Sequence, residues 1–292
     1  MAENQNGHAG PSAKFDIGAP IGIFGGLTLL IFAFVLEGGS PMSLWGLSSF
    51  LIVIGGTVAT LLITFPVHVV VSFPKFLKKG FVEQHQDRVE LVRTFVRLAE
   101  KARRQGLLSL EDEAQQLSDP FLRDGIQEVV DGTPAEQIRE ILEIRISEME
   151  ARHREGIAFF ENGGGFAPTM GIIGTVMGLV VTLSKLAEAG TEELGHSIAV
   201  AFIATLYGIS SSNLFWLPLA QRLRKKSEAE AGYLNLMVEG ILGVQAGDAP
   251  RLVRAKLEGF LSPKERERLN APSQSEDAIQ GGPVAQPAGA GA

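Results

Sequence analysis

GGGFAPTMGIIGTVMGLVVTL, residues 163–183, is long enough to cross a bilayer and carries no charge. Pro168 interrupts it, Gly171, Gly174 and Gly178 punctuate it, and Thr169, Thr175 and Thr182 bring hydroxyls into it. Pro168, Thr175 and Thr182 are seven residues apart, so a helix places them on one face. Gly171, Gly174 and Gly178 are small-residue steps that let a second helix approach closely. A plain anchor needs none of these features. A helix lining a polar path between packed helices does, and the rest of the chain reads as its scaffold.

Working outward, three more uncharged runs exceed the roughly 18 residues that mark a spanning helix: 17–36, 44–65 and 198–219. With 45% hydrophobic and 20% charged residues, the chain is too charged to lie wholly within a membrane. The expected fold is all-α: a polytopic membrane protein with four transmembrane helices and a helical cytoplasmic insertion. Zero cysteines exclude disulfides and thiolate chemistry, and a net charge of -7 argues against nucleic-acid binding.

The turn at 37–43 has no basic residue, whereas Lys75, Lys78 and Lys79 follow run two, which is expected to continue past Pro66 towards Val71. The loop at 187–195 is acidic, whereas Arg222, Arg224, Lys225 and Lys226 follow run four. Basic residues collect on the cytoplasmic side, so both hairpins predict an inner-membrane protein with both termini in the cytoplasm. The expected organisation is a flexible cytoplasmic segment (1–16), hairpin one (17–71), a cytoplasmic helical domain (72–162) and hairpin two (163–220). A cytoplasmic helical segment (221–262) and a disordered Pro/Gly/Ala-rich tail (263–292) complete it.

The insertion reads as helices without strands. Residues 89–104 place apolar side chains at 91, 92, 95, 98, 99 and 102, with Gly106 as the stop. Ser109 with Asp112 reads as an N-cap pair, Asp119-Pro120 as a helix start, and Thr133 to Glu136 as a capping box. The helix that begins there is expected to run nearly to the membrane.

The second polar set lies in run four, where Thr205 and Ser212 are seven apart and Pro218 follows. No run contains Asp, Glu, Lys, Arg or His. A cation path needs a charged or titratable group at depth, so another polypeptide must supply the acid. No phosphate-cradling loop, metal spacing or Ser-His-Asp set is recognisable, and an enzyme is not expected.

FAPTMGIIGTVMGLV (166–180) and AFIATLYGISSSNLFWLPLAQRLRKKS (201–227) resemble the third and fourth membrane helices of the MotA/PomA flagellar stator subunits. KARRQGLLSLEDE (101–113), DGIQEVVDGT and ELGHSIAVAF also resemble family motifs, in the family's order. The resemblance implies coupling roles for Pro168 and Pro218 and rotor-facing roles for Arg103 and Glu111. It places Thr175 and Thr205 beside a carboxylate on a MotB-like partner; Ser212, on the helix face of Thr205, is expected on the same ion path. It further implies a ring, pentameric in the family, that turns as ions pass and pushes the flagellar rotor. No cofactor is implied; the transported ion is Na⁺ or H⁺. Thr175, where proton-type members often carry Ala, tilts the expectation towards sodium. An ExbB/TolQ-type energiser, or a non-conducting scaffold whose glycines merely pack helices, are the alternatives.

Overall fold

The structure is a computed structural model that describes residues 13–84, 86–184 and 191–271, with backbone only at 13–15, 83–84 and 191–193. The N-terminal segment up to residue 12, most of the turn between runs three and four, and the tail beyond 271 lie outside the described residues.

In chain order the elements are β1 (Ala13–Phe15), α1 (Gly18–Leu36), α2 (Leu47–Phe50), α3 (Gly56–Thr64), α4 (Val67–Val71), α5 (Phe73–Phe81), β2 (Val82–Gln84) and α6 (Arg88–Gln105). There follow α7 (Glu111–Gln116), α8 (Pro120–Val130), α9 (Ala135–Ser184), α10 (Thr191–Ser211), α11 (Leu217–Gln245), α12 (Pro250–Glu258) and α13 (Pro263–Asn270). Among the described residues four helical stretches are long and apolar enough to cross a membrane, and each overlaps one of the four uncharged runs. The chain divides into two units, one of residues 1–85 and 145–231, the other of 86–144 and 232–292.

The first unit holds the spans. α2 and α3 are joined by a π-helical turn, Leu51–Gly55, and the span ends at Thr64. It does not run through Pro66: Phe65 is extended (φ -118, ψ 147), the conformation that the following proline ring imposes. α4 restarts after the break. An aromatic core sits where the spans meet their polar extensions. Phe159, Phe160 and Trp216 are buried there against Phe65, Phe73, Phe76 and Phe215. Their rings meet tilted or edge-on, Phe159 and Phe160 at 5.6 Å, as aromatic quadrupoles prefer. The three-residue strands β1 and β2 pair antiparallel, Lys14 opposite Glu83, so the expected absence of strands from the insertion is corrected at this one place. Asp16 after β1 pairs with Arg222, which ties the ribbon to α11.

The second unit is a helical bundle. All six apolar positions expected on one face of α6 are buried, Phe95 and Val92 completely. Asp87 caps α6 by accepting from the Val89 and Glu90 amides. Burial alone would raise its carboxyl pKa, but these amides and Arg268 outweigh that and hold it below the usual value. Gly106 (φ 84) and Gly132 (φ 79) stop their helices in the left-handed region, as glycine permits. Asp119 caps α8 with Pro120 at the first position.

Two expected caps are not made. The Ser109 hydroxyl donates back to the Gly106 carbonyl, inside a 3₁₀ turn that precedes α7. The Thr133 hydroxyl binds the Glu128 carboxylate instead of closing a box with Glu136. The stretch assigned to the tail also begins later than expected. Residues 263–270 form α13, whose N-terminus is closed by a capping box between Ser262 and Glu265.

Candidate functional site

α9 runs unbroken from Ala135 to Ser184 and carries Pro168 within it. It meets the fourth span, α10 and its continuation, along a seam of small residues. A β-carbon on Gly171 would lie 2.8 Å from the Ala204 carbonyl oxygen, and one on Gly208 would lie 2.6 Å from the Ala167 carbonyl oxygen. Gly174 lies against the Ala204 methyl and Gly178 against the Ala201 methyl, at 2.6 and 2.7 Å from an added β-carbon. At the polar end, Gly163 and Gly164 make room for Trp216 and Leu217. Gly171, Gly174 and Gly178 thus all face the fourth span, and Gly174 also meets Ile52 of the second.

Thr175 and Thr205 meet inside this seam. Their hydroxyls hydrogen-bond to each other. The Thr175 hydroxyl also lies 3.1 Å from the Gly171 carbonyl of its own helix and 3.1 Å from the Ala201 carbonyl of α10. Thr205 reaches the Gly171 carbonyl at 3.4 Å. Two hydroxyl protons are thus shared among four oxygens, with no cationic side chain among them. Such a knot of hard oxygen donors is half-exposed and suits a passing cation or a hydrogen-bonding carboxylic acid.

Ser212 plays a different part. A proline in a helix interior removes one amide, leaving the carbonyl four residues earlier without its usual donor. For Pro168 that carbonyl is Gly164, and the Ser212 hydroxyl, 2% exposed, donates to it at 2.7 Å. The structure thus places Ser212 at the carbonyl that Pro168 leaves open, eleven residues or about 16 Å along α9 from Thr175. Thr182, on the same face, is buried and donates to the Gly178 carbonyl of its own helix. Pro218 follows a second π-helical turn, Ser212–Trp216, in which the Leu217 amide reaches back to the Ser212 carbonyl. That wider turn adjusts the ladder where the next amide is missing. Tyr207 donates to the Leu44 carbonyl at 2.6 Å, fixing the fourth span to the start of the second.

Arg103 and Glu111 lie in the second unit, on α6 and at the start of α7. Both are exposed, and neither makes an ion pair among the described residues. Their neighbours are paired: Lys101 with Glu113 at 2.8 Å across the turn, and Arg104 with Glu100 at 2.7 Å. Arg103 and Glu111 are thus left available to a partner.

Sequence reasoning missed the other half of the seam. Ala201, Ala204 and Gly208 recur at spacings of three and four, the signal that could have found them. The repair of Pro168 by Ser212 carries no local signal at all.

The sequence pattern of the MotA/TolQ/ExbB proton channel family matches residues 113–235. Motility protein A of Bacillus subtilis (strain 168) is 39% identical over 247 residues, covering 84% of this chain and 91% of that protein. Chemotaxis protein PomA of Vibrio alginolyticus is 33% identical over 251 residues, covering 86% and 97%. Among solved structures, a chain of the flagellar MotAB stator complex from Bacillus subtilis superposes with a TM-score of 0.81 at 37% identity. The match covers 88% of this chain and 100% of that one.

Proposed function

The chain belongs to the MotA/PomA group of the MotA/TolQ/ExbB proton channel family, and we propose from that premise how its seam works in a flagellar motor. It is a stator subunit of the flagellar motor, a multi-pass protein of the inner membrane. α9 and α10 form one wall of a cation path, with the Thr175–Thr205 knot as its polar station. A MotB-like partner lends the carboxylate that the four spans lack, and several copies of this chain surround that partner as a ring. Both termini lie in the cytoplasm, in keeping with the basic residues that follow the second and fourth spans.

Pro168 and Pro218 are the coupling points. At both, the helix ladder is completed by something other than its own amide, a Ser212 hydroxyl in one case and a π-helical turn in the other. Such bonds can be exchanged without melting a helix, so carboxylate protonation or ion binding can shift α9 against α10. Arg103 and Glu111, exposed and unpaired, hand that movement to the rotor. The observation that carries the reading is the oxygen knot between two acid-free membrane runs, 163–183 and 198–219.

The test is swimming speed against sodium concentration, with and without a protonophore, for the chain co-expressed with its partner. Speed that rises with sodium and survives the protonophore supports sodium as the coupling ion. Thr175→Ala and Thr205→Ala should each lower speed severalfold and move the sodium concentration for half-maximal speed. Reversing Arg103 or Glu111 should lower speed without moving that midpoint. If both threonine variants keep wild-type speed and midpoint, the seam is not the path.

A further inference from the structure

Two basic clusters follow the spans, and in sequence they look equivalent. The structure separates them. After the fourth span, Arg222 pairs with Asp16 and donates to the Gly80 carbonyl at 2.7 Å, and Arg224 pairs with Glu161. Lys226 donates to the carbonyls of Lys79, Gly80 and Val82, each within 2.9 Å. Three of these four cations are therefore engaged by the chain itself. Arg222 and Lys226 close the C-terminal end of α5, where helix carbonyls carry partial negative charge.

The cluster after the second span is left free. Lys75, Lys78 and Lys79 sit at i, i+3 and i+4 of α5 and are exposed, and among the described residues none makes an ion pair. The opposite face of α5 carries Phe73, Phe76 and Leu77, packed against the buried aromatic core. Its C-terminal carbonyls are held by Lys226 and Arg222. The three ammonium groups thus project from one side of a helix that is fixed at its apolar face and at its end. α5 begins nine residues after the second span ends at Thr64, which keeps the helix close to the membrane border.

We propose that Lys75, Lys78 and Lys79 are a binding surface for the phosphate groups of anionic phospholipids in the leaflet bordering the polar insertion. An ammonium on a long flexible stem is a point-charge partner for a headgroup phosphate. Three of them on one helix face collect several headgroups at the foot of the aromatic core. The assignment rests on the membrane spans alone and not on the chain's part in a motor.

The test uses the full chain purified with its partner and reconstituted with phosphatidylcholine, with or without phosphatidylglycerol. Bound lipid is measured by native mass spectrometry and thermal stability is followed alongside. Each basic residue near a surface strengthens such attraction by about fivefold, so Lys75→Gln/Lys78→Gln/Lys79→Gln should weaken phosphatidylglycerol retention by at least about tenfold. The corresponding triple Lys→Arg variant should keep it, which separates charge from misfolding. Arg224→Gln, which removes an internally paired cation, should leave retention unchanged. Equal retention by the wild type and the triple Gln variant would overturn the proposal. So would equal stabilisation by inorganic phosphate with no anionic lipid present, which would make the surface a free-anion site.

Discussion

The first span and the paired third and fourth spans show opposite ways of being apolar. α1 buries none of its residues in this chain, and of its glycines only Gly26 lies close to another element, where an added β-carbon would stand 2.9 Å from Leu214. α9 and α10 approach until no room is left for a β-carbon on Gly171 or Gly208. Both stretches are hydrophobic enough to cross a membrane. Lipid tails solvate apolar side chains as well as a neighbouring helix does, so hydrophobicity cannot choose between these outcomes. Small residues and hydroxyls choose, and they lie on the seam.

The glycines offer the largest test of that difference. Gly22 and Gly25 of α1 have nothing within 4 Å of an added β-carbon, whereas Gly171 and Gly208 face backbone atoms that cannot swing aside. Overpacking a core that can yield costs about 1–3 kcal/mol, and a leucine pressed onto backbone should exceed that. Gly171→Leu and Gly208→Leu should therefore lose most thermal stability in detergent and all motility. Gly22→Leu and Gly25→Leu should change the stability of the single chain by less than about 0.5 kcal/mol. Similar melting of the two pairs would break the comparison. If the α1 variants lost stability only in the assembled complex, another copy would fill the open space, and the contrast would become one between a seam within the chain and a seam between chains.

The second test concerns the proline inside the seam. Removing the Ser212 hydroxyl leaves the Gly164 carbonyl with neither an amide nor a side-chain donor, a loss of about 1–3 kcal/mol for a buried group. Ser212→Ala should thus melt measurably earlier. Pro168→Ala restores the missing amide, so the double variant should recover part of that loss. The coupling between the two sites in a double-mutant cycle is the quantity to read. Independent, additive losses would mean that the hydroxyl does not stand in for the amide.

These pairings mark the limit of what sequence could reveal. Span positions, the helix face of α6, and the stops at Gly106 and Gly132 follow from periodicity and local backbone preference, and they were legible. Thr175 and Thr205 were legible as polar residues in apolar runs, because hydrocarbon penalises such groups. Local chemistry misled at Ser109 and Thr133, each of which could bond to several nearby groups. It also misled at Pro66, where the helix breaks, while at Pro168 it continues. The residues next to these two prolines do not explain the difference. What separates them is a hydroxyl 48 residues from Gly164, brought there only by the α9–α10 contact. No periodicity encodes that.

The smallest test follows α9 out of the membrane. His153 of α9 lies 3.1 Å from the Ser227 hydroxyl of α11, so the contact between the third and fourth spans is continued by a polar bridge. Burial pushes the His153 pKa below its ordinary 6.5, Lys79 and Arg152 push the same way, and Glu230 and Glu150 oppose them. The folded chain therefore prefers the neutral ring, and the unfolded chain binds more protons below 6.5. The stabilisation is complete above the unfolded value and is lost as pH falls through the lower folded value. The ring is half-exposed and screened, so the effect should stay under about 1 kcal/mol. Between about pH 8 and pH 5.5 the wild type should lose slightly more melting temperature than His153→Gln, whose side chain does not titrate in that range. α1 carries no titratable side chain, so its attachment should be indifferent to the same change. Parallel pH profiles for the wild type and His153→Gln would show that the bridge adds nothing to the seam below the membrane.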